Sequence, residues 1–223
     1  AQGREDKSEI RTNFLNALEI SISNNKPIQL DFIYGSKVDN SFQPLDGQQR
    51  LTTLFLLHWY ASIKDDINSN EKKILHKFSY ETRITSREFC LSLVENSVDL
   101  NSNEKISELI KDSKWFFLSW KNDPTIEAML RTIDDIHLKF NKIESLWSKL
   151  TNDKLISFYY VELEDIGLTD DLYIKMNARG KLLSPFENFK ASFEKQIEDN
   201  NWEKDKNQLE KFAFKIDTDW TDF

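Results

Sequence analysis

The chain has 223 residues, and its sixteen Phe, six Trp and six Tyr can fill one large core, which excludes a disordered tail. Only five Gly and four Pro are present, far below usual usage, so loops are few and helices predominate. A net charge of −8 argues against holding duplex DNA through the overall field. A single cysteine excludes a disulfide framework or a cysteine-built zinc site, and no apolar run approaches the ~20 residues of a membrane span.

Residues 5–24 carry Ile10, Phe14, Leu15, Leu18 and Ile22 near 3.6-residue spacing and predict a helix, which Asn24-Asn25-Lys26-Pro27 stops. Ile28 to Tyr34 alternates as a strand closed by Gly35. A polar turn at 36–41 and a short extended piece from Phe42 to Leu45 complete an expected hairpin. Asp46-Gly47 is a break, and Gln48 to about Lys64 is a strongly apolar core helix whose first turns carry a polar stripe of Gln48, Gln49, Thr52 and Thr53. Further helices are expected at 71–79, 85–97, 103–119 and 124–150, the last opening on Asp123-Pro124, an N-cap followed by Pro at the first helical position. Leu155 to Leu163 is rich in aromatic and β-branched residues and predicts a strand. A short helix from Thr169 to Met176 ends at Asn177-Ala178-Arg179-Gly180. Ser184-Pro185-Phe186-Glu187 opens a helix to about residue 198, and 202–216 is helical as well. The expected fold is α+β and predominantly helical, one domain over residues 1–223 with a helical insertion at about 71–150. The chain reads as a piece of a longer protein of the cytoplasm, with no membrane partner.

Twenty-three of the 30 basic residues are Lys, so the seven Arg stand out, and three of them adjoin glycines: Gln2-Gly3-Arg4, Asp46-Gly47-Gln48-Gln49-Arg50 and Asn177-Ala178-Arg179-Gly180. Arginine forks onto phosphate or carboxylate, and glycine lets backbone approach a ligand closely. The first N–H groups of a helix lack internal partners and lie at the positive end of its dipole, where anions bind. Gly47, Gln48, Gln49 and Arg50 thus compose a candidate phosphate site, with Asp46 serving either as the helix N-cap or as a magnesium ligand beside a triphosphate. The plainer alternative is a capped helix with a turn glycine and an exposed polar first turn. Glu187 and Lys190 follow Gly180 on the next helix and are placed to face the same pocket. Asp134-Asp135-x-His137 diverge around a helix and read as solvated surface. His58 reads as packed, His76 has no ligand partner at useful spacing, Cys90 is a small core residue, and Glu162, Glu164, Asp165, Asp170 and Asp171 form a solvated edge. No Walker loop, nucleophile elbow or HNH-like zinc cluster is present.

Pro44-Leu45-Asp46-Gly47-Gln48-Gln49-Arg50-Leu51-Thr52-Thr53-Leu54 resembles the DGQQR signature of the ParB-like domains in the S part of GmrSD-type modification-dependent restriction enzymes. Asp171 to Ser184, with Asn177, Arg179 and Gly180, is similar to that family's F-x-x-x-N-x-R-G-x-x-L-S segment, and Phe189-Lys190 to its ending. Gln2-Gly3-Arg4 is similar to the N-terminal Y-x-Q-R element, with Gly3 intervening and the tyrosine missing. The resemblance implies a small ParB/sulfiredoxin-like sheet with a helical extension. It also implies binding, with hydrolysis, of a nucleoside triphosphate with Mg2+, coupled to modified DNA through the full-length protein and to a nuclease domain or subunit outside this chain. On this reading Asp46, Gln48, Gln49 and Arg50 are catalytic. Gln2, Arg4, Gly47, Thr52, Thr53, Asn177, Arg179, Gly180 and Lys190 bind the nucleotide, and Asp46 holds the metal. A non-catalytic module that recognises modified DNA or a partner protein is the alternative. A third possibility, that the core cuts DNA itself, is disfavoured by the acidic charge.

Overall fold

The computed structural model describes residues 8–39 and 41–162, together with Ile197. The chain divides into two compact units, residues 1–166 and 167–223, and every element described below falls in the first. The helices expected at 169–176, 185–198 and 202–216 lie outside the described residues, apart from helical Ile197.

Helix α1 (Ser8–Ser23) buries Leu15, Leu18 and Ile22 completely, the i, i+3, i+7 stripe of an amphipathic helix. Asn25, with φ 50°, turns the chain out of it. Strand β1 (Ile28–Val38) and strand β2 (Ser41–Pro44) form the expected hairpin, pairing Gly35 with Pro44 and Val38 with Ser41. β1 runs four residues past Tyr34, because Gly35 lies inside the ladder and does not end it. A Cβ there would stand 2.1 Å from the Gln43 carbonyl oxygen and 2.8 Å from the Phe42 ring. That ring instead crosses the bare position to meet Tyr160 edge-on, with centroids 4.6 Å apart. Strand β3 (Ile156–Glu162) pairs parallel with β1, from Ile28 opposite Ile156 to Gly35 opposite Glu162, with a register shift between Leu30 and Ile33. The sheet order is β2-β1-β3.

The remaining described elements are helical, and the fold is α+β with helix predominant. Helix α2 (Gln48–Lys64) is the central rod: Leu56, Leu57, Trp59 and Ala61 are fully buried, and Trp59 donates its indole N–H to the Leu93 carbonyl at 2.6 Å. Helix α3 (Ser69–Lys72) is capped by Asn68 and runs into a 3₁₀ turn at Lys73–Lys77. Helix α4 (Ile84–Glu95) follows and places Phe89 and Leu93 in the core. Helix α5 (Ile106–Lys111) is far shorter than the 103–119 expected. Asp112 ends it, Ser113 donates its hydroxyl to the Ile110 carbonyl, and a separate 3₁₀ turn at Leu118–Asn122 brings Trp120 edge-on against Phe89 and Phe116.

Helix α6 (Pro124–Phe140) starts as predicted, with the Asp123 carboxylate accepting from the Thr125 and Ile126 N–H groups. Ile126, Met129, Ile133, Ile136 and Phe140 line its buried face against α2 and α1. The expected helix over 124–150 is broken at 141–145, where Ser145 is left-handed with φ 51°. Helix α7 (Leu146–Thr151) restarts with its Trp147 N–H donating to Asp65, while Lys64 donates to the Ile143 carbonyl.

Candidate functional site

Strand β2 delivers the chain through Asp46 to Gly47, which stands at the N-cap position of α2 in the left-handed region (φ 81°, ψ 3°). A side chain there is excluded twice: by the positive φ, and by Ile33 Cγ1, which a Cβ would meet at 2.8 Å. Glycine offers no side-chain cap, so the first turn of α2 receives none from its N-cap residue. The expectation that Asp46 caps this helix is therefore corrected: its carboxylate accepts from Arg50 Nη2 at 3.2 Å, four residues on.

The motif separates around the helix. Successive helical residues turn by about 100°, so Arg50 leaves α2 opposite Thr52. Arg50 keeps only 17% of its side chain exposed, between Asp46 and, at 4.0 Å, Asp31 on β1. Gln48, Gln49, Thr52 and Thr53 line a cleft of about 90 Å³ instead. Its other walls are Tyr80, Arg83 and the first half of α6, from Pro124 and Thr125 to Thr132. Among the described residues no Asp or Glu lines it, in a chain with net charge −8.

The polar stripe forms through main-chain carbonyls. Thr52 donates its hydroxyl to the Gln48 carbonyl at 2.9 Å, and Thr53 donates to that of Gln49 at 3.0 Å. Thr52 Oγ1 also lies 2.9 Å from the Tyr80 hydroxyl. Because the Thr52 proton is committed to Gln48, Tyr80 is the donor of this second bond, and its lone pairs stay available. Burial pushes the Tyr80 phenol above its ordinary range, against the opposing pull of Thr52, so it stays protonated at neutral pH. Gln48 Nε2 donates to the Pro44 carbonyl at 2.8 Å, which fixes that amide to the end of β2.

Arg83 was not singled out from the sequence. Its guanidinium donates to the Thr125 hydroxyl across the cleft. The segment that carries it is fastened by Arg87, which donates Nε to the Tyr80 carbonyl at 2.7 Å and Nη2 to that of Glu81. The available signal was the rarity of Arg in a Lys-rich chain, which marked Arg83 and Arg87 as much as the three arginines beside glycines.

Gln2, Arg4, Asn177, Arg179, Gly180 and Lys190, like Glu187 and the acidic residues at 164–171, lie outside the described residues. Of the three arginines that adjoin glycines, only Arg50 is described. Cys90 is buried 3.8 Å from Met129 Sδ, and burial pushes its thiol up to about 12, so it is an inert core residue. His58 is packed as expected: its ring nitrogen lies 2.7 Å from the Leu54 carbonyl, and burial lowers its pKa. Asp134, Asp135 and His137 are not solvated surface, which corrects the expectation. Asp135 pairs with buried Arg11 at 2.5 Å, Asp134 accepts from the N–H and hydroxyl of Ser107, and His137 bonds the Tyr60 hydroxyl at 3.1 Å.

Among the described residues no group of three or more His, Cys, Asp or Glu side chains is arranged to hold a metal ion, and no helix is long and apolar enough to cross a membrane. Asp46, half exposed and with one oxygen bonded to Arg50, is the described residue on which the expected magnesium ion would rest. No curated protein and no solved structure matches the chain. Residues 7–194 match the family described as the GmrSD restriction endonuclease N-terminal domain, a span that covers every element above, and the chain belongs to that family.

Proposed function

We propose that this chain binds, and hydrolyses, a nucleoside triphosphate at the start of α2, as the regulatory domain of a DNA restriction or defence protein. Family membership supports the restriction context. The observation that carries the nucleotide reading is the cleft itself. Among the described residues its polar walls are amides, hydroxyls and one guanidinium, beside Pro124, Ala128 and Met129, with no carboxylate, and it adjoins a 17-residue helix whose N-cap residue provides no side-chain cap. A cleft of about 90 Å³ is on the scale of a phosphoryl group, whereas the pockets that hold drug-sized ligands run to roughly 300–1,000 Å³. The sugar and base therefore extend outside it.

In this reading the N–H groups at the start of α2 cradle phosphate oxygens, and Gln48, held by Pro44, shapes the wall. Gln49 orients the attacking water, since phosphoryl transfer is mostly positioning and charge stabilisation. Arg50 holds Asp46 in position beside the magnesium that accompanies the triphosphate. Gln2, Arg4, Asn177, Arg179, Gly180 and Lys190, which the resemblance implies bind the nucleotide, lie outside the described residues. Modified DNA and the nuclease are engaged through the full-length protein.

The test is phosphate release from each nucleoside triphosphate by the purified chain, with and without Mg2+. The reading expects Mg2+-dependent turnover above background that Asp46→Ala abolishes. Saturable binding without release, unchanged by Asp46→Ala, would leave a non-catalytic binding module.

A further inference from the structure

We infer that Arg83 supplies the positive charge that grips the terminal phosphoryl group in this cleft, an assignment that rests on the nucleotide reading above and adds the residue that separates triphosphate from diphosphate. Arg83 is the one basic side chain among the described residues that line the cleft. It sits across from the Gln48 and Gln49 turn of α2, at the N-cap of the 12-residue helix α4, which has no side-chain cap hydrogen bond either.

Its present hydrogen-bond partner is a neutral hydroxyl, and the Asp123 carboxylate is near enough for the two charges to attract. Arg83 donates to Thr125 and makes no ion pair within 4.0 Å among the described residues. Arg50 is the opposite case, held beside two carboxylates on the far side of α2. A guanidinium gains more from a charged oxyanion than from a hydroxyl, and its planar fork matches two phosphoryl oxygens. The nearby Asp123 carboxylate is occupied by the N–H groups of Thr125 and Ile126 and the Thr85 hydroxyl, so it is turned into its own helix cap.

The arm is also preorganised. Arg87 pins the carbonyls of Tyr80 and Glu81, and the Tyr80 hydroxyl is tied to Thr52 on α2. The backbone that bears Arg83 is thus fixed relative to the helix start on which the phosphate would rest. Exchange of Thr125 for a phosphoryl oxygen needs only side-chain rotation.

The experiment is calorimetric titration of the whole chain with slowly hydrolysed analogues of the nucleoside triphosphates plus Mg2+, and with the matching diphosphates. It compares wild type, Arg83→Ala, Arg83→Lys and Thr125→Val. Loss of a charge-assisted hydrogen bond predicts that Arg83→Ala weakens triphosphate binding by roughly tenfold to a hundredfold, while diphosphate binding changes less than threefold. Arg83→Lys is expected to recover part of the loss. Thr125→Val, which removes the resting partner and one hydroxyl of the wall, is expected to weaken triphosphate and diphosphate binding alike and by less than Arg83→Ala weakens triphosphate binding. Arg83→Ala binding triphosphate like wild type overturns the assignment while leaving the nucleotide reading intact. Equal losses in Arg83→Ala and Thr125→Val would make the contact a structural tie and overturn it as well. A wild-type chain that binds no triphosphate overturns the nucleotide reading, and this assignment falls with it.

Discussion

Gly47→Ala isolates the backbone device on which the start of α2 depends. Alanine at φ 81° pays the left-handed penalty of roughly 1–2 kcal/mol. Its Cβ would also stand 2.8 Å from Ile33 Cγ1 and 3.3 Å from an Arg50 guanidinium nitrogen. Ile33 is fully buried and has no room to withdraw, so overpacking adds about 1–3 kcal/mol. The expected loss is about 2–5 kcal/mol, or a fall in Tm of roughly 4–20 °C for a chain of this size. Chemical and thermal denaturation of both proteins read it directly. The steric half can be separated with Ile33→Ala, which removes the obstructing atoms. The double variant is expected to be less destabilised than the two single losses combined by about 1 kcal/mol or more. An unchanged Tm for Gly47→Ala would refute the reasoning, and strict additivity in the cycle would refute its steric part.

Gln49→Ala is expected to lower triphosphate turnover by about tenfold or more with little change in affinity; steady-state kinetics with a parallel binding titration check it, and equal losses in both would assign Gln49 to binding. Asp123→Ala removes the side-chain acceptor for two N–H groups of α6 and is expected to cost about 1–2 kcal/mol in denaturant unfolding at neutral pH. Burial pushes the Asp123 carboxyl upward, but hydrogen bonds from Thr85 and the two N–H groups, with the charge of Arg83, outweigh it and hold the group below its usual range. The charged form is the one that is bonded. Its stabilisation is therefore complete above about pH 4 and is lost as the pH falls through the lowered folded value. The stability gap between wild type and variant should narrow in acid, and a gap independent of pH would contradict this account.

What the sequence disclosed depended on how local the deciding contacts were. Helix α2 was readable to both ends, because Asp46-Gly47 punctuates it and its apolar run is unbroken to Lys64. The Asp123-Pro124 start of α6 was readable for the same reason. The end of β1 was not, since Gly35 looks like a terminator until the Phe42 ring is seen to need its empty side. The break after Phe140 was hidden by apolar spacing that continues through Ile143 and Leu146. Asp65, just past the end of α2, supplies the acceptor for the Trp147 N–H that restarts α7.

In the site, the positions of Gly47, Gln48, Gln49, Thr52 and Thr53 followed from the motif and its helical spacing. Whether the Asp46 carboxylate would turn to the helix N–H groups or to Arg50 did not follow, because both lie within its reach. Arg83 and Tyr80 enter the cleft from about 30 residues away, and Asp134, Asp135 and His137 find partners 27, 124 and 77 residues distant. No spacing rule reports such pairs.

The most direct test of the central claim is a crystal structure of the chain with a slowly hydrolysed nucleoside triphosphate and Mg2+. The account predicts phosphoryl oxygens within hydrogen-bond distance of the N–H groups that open α2, with the Arg83 guanidinium turned from Thr125 onto them. Phosphates bound away from the start of α2, with the cleft between Gln49 and Arg83 holding only solvent, would contradict it.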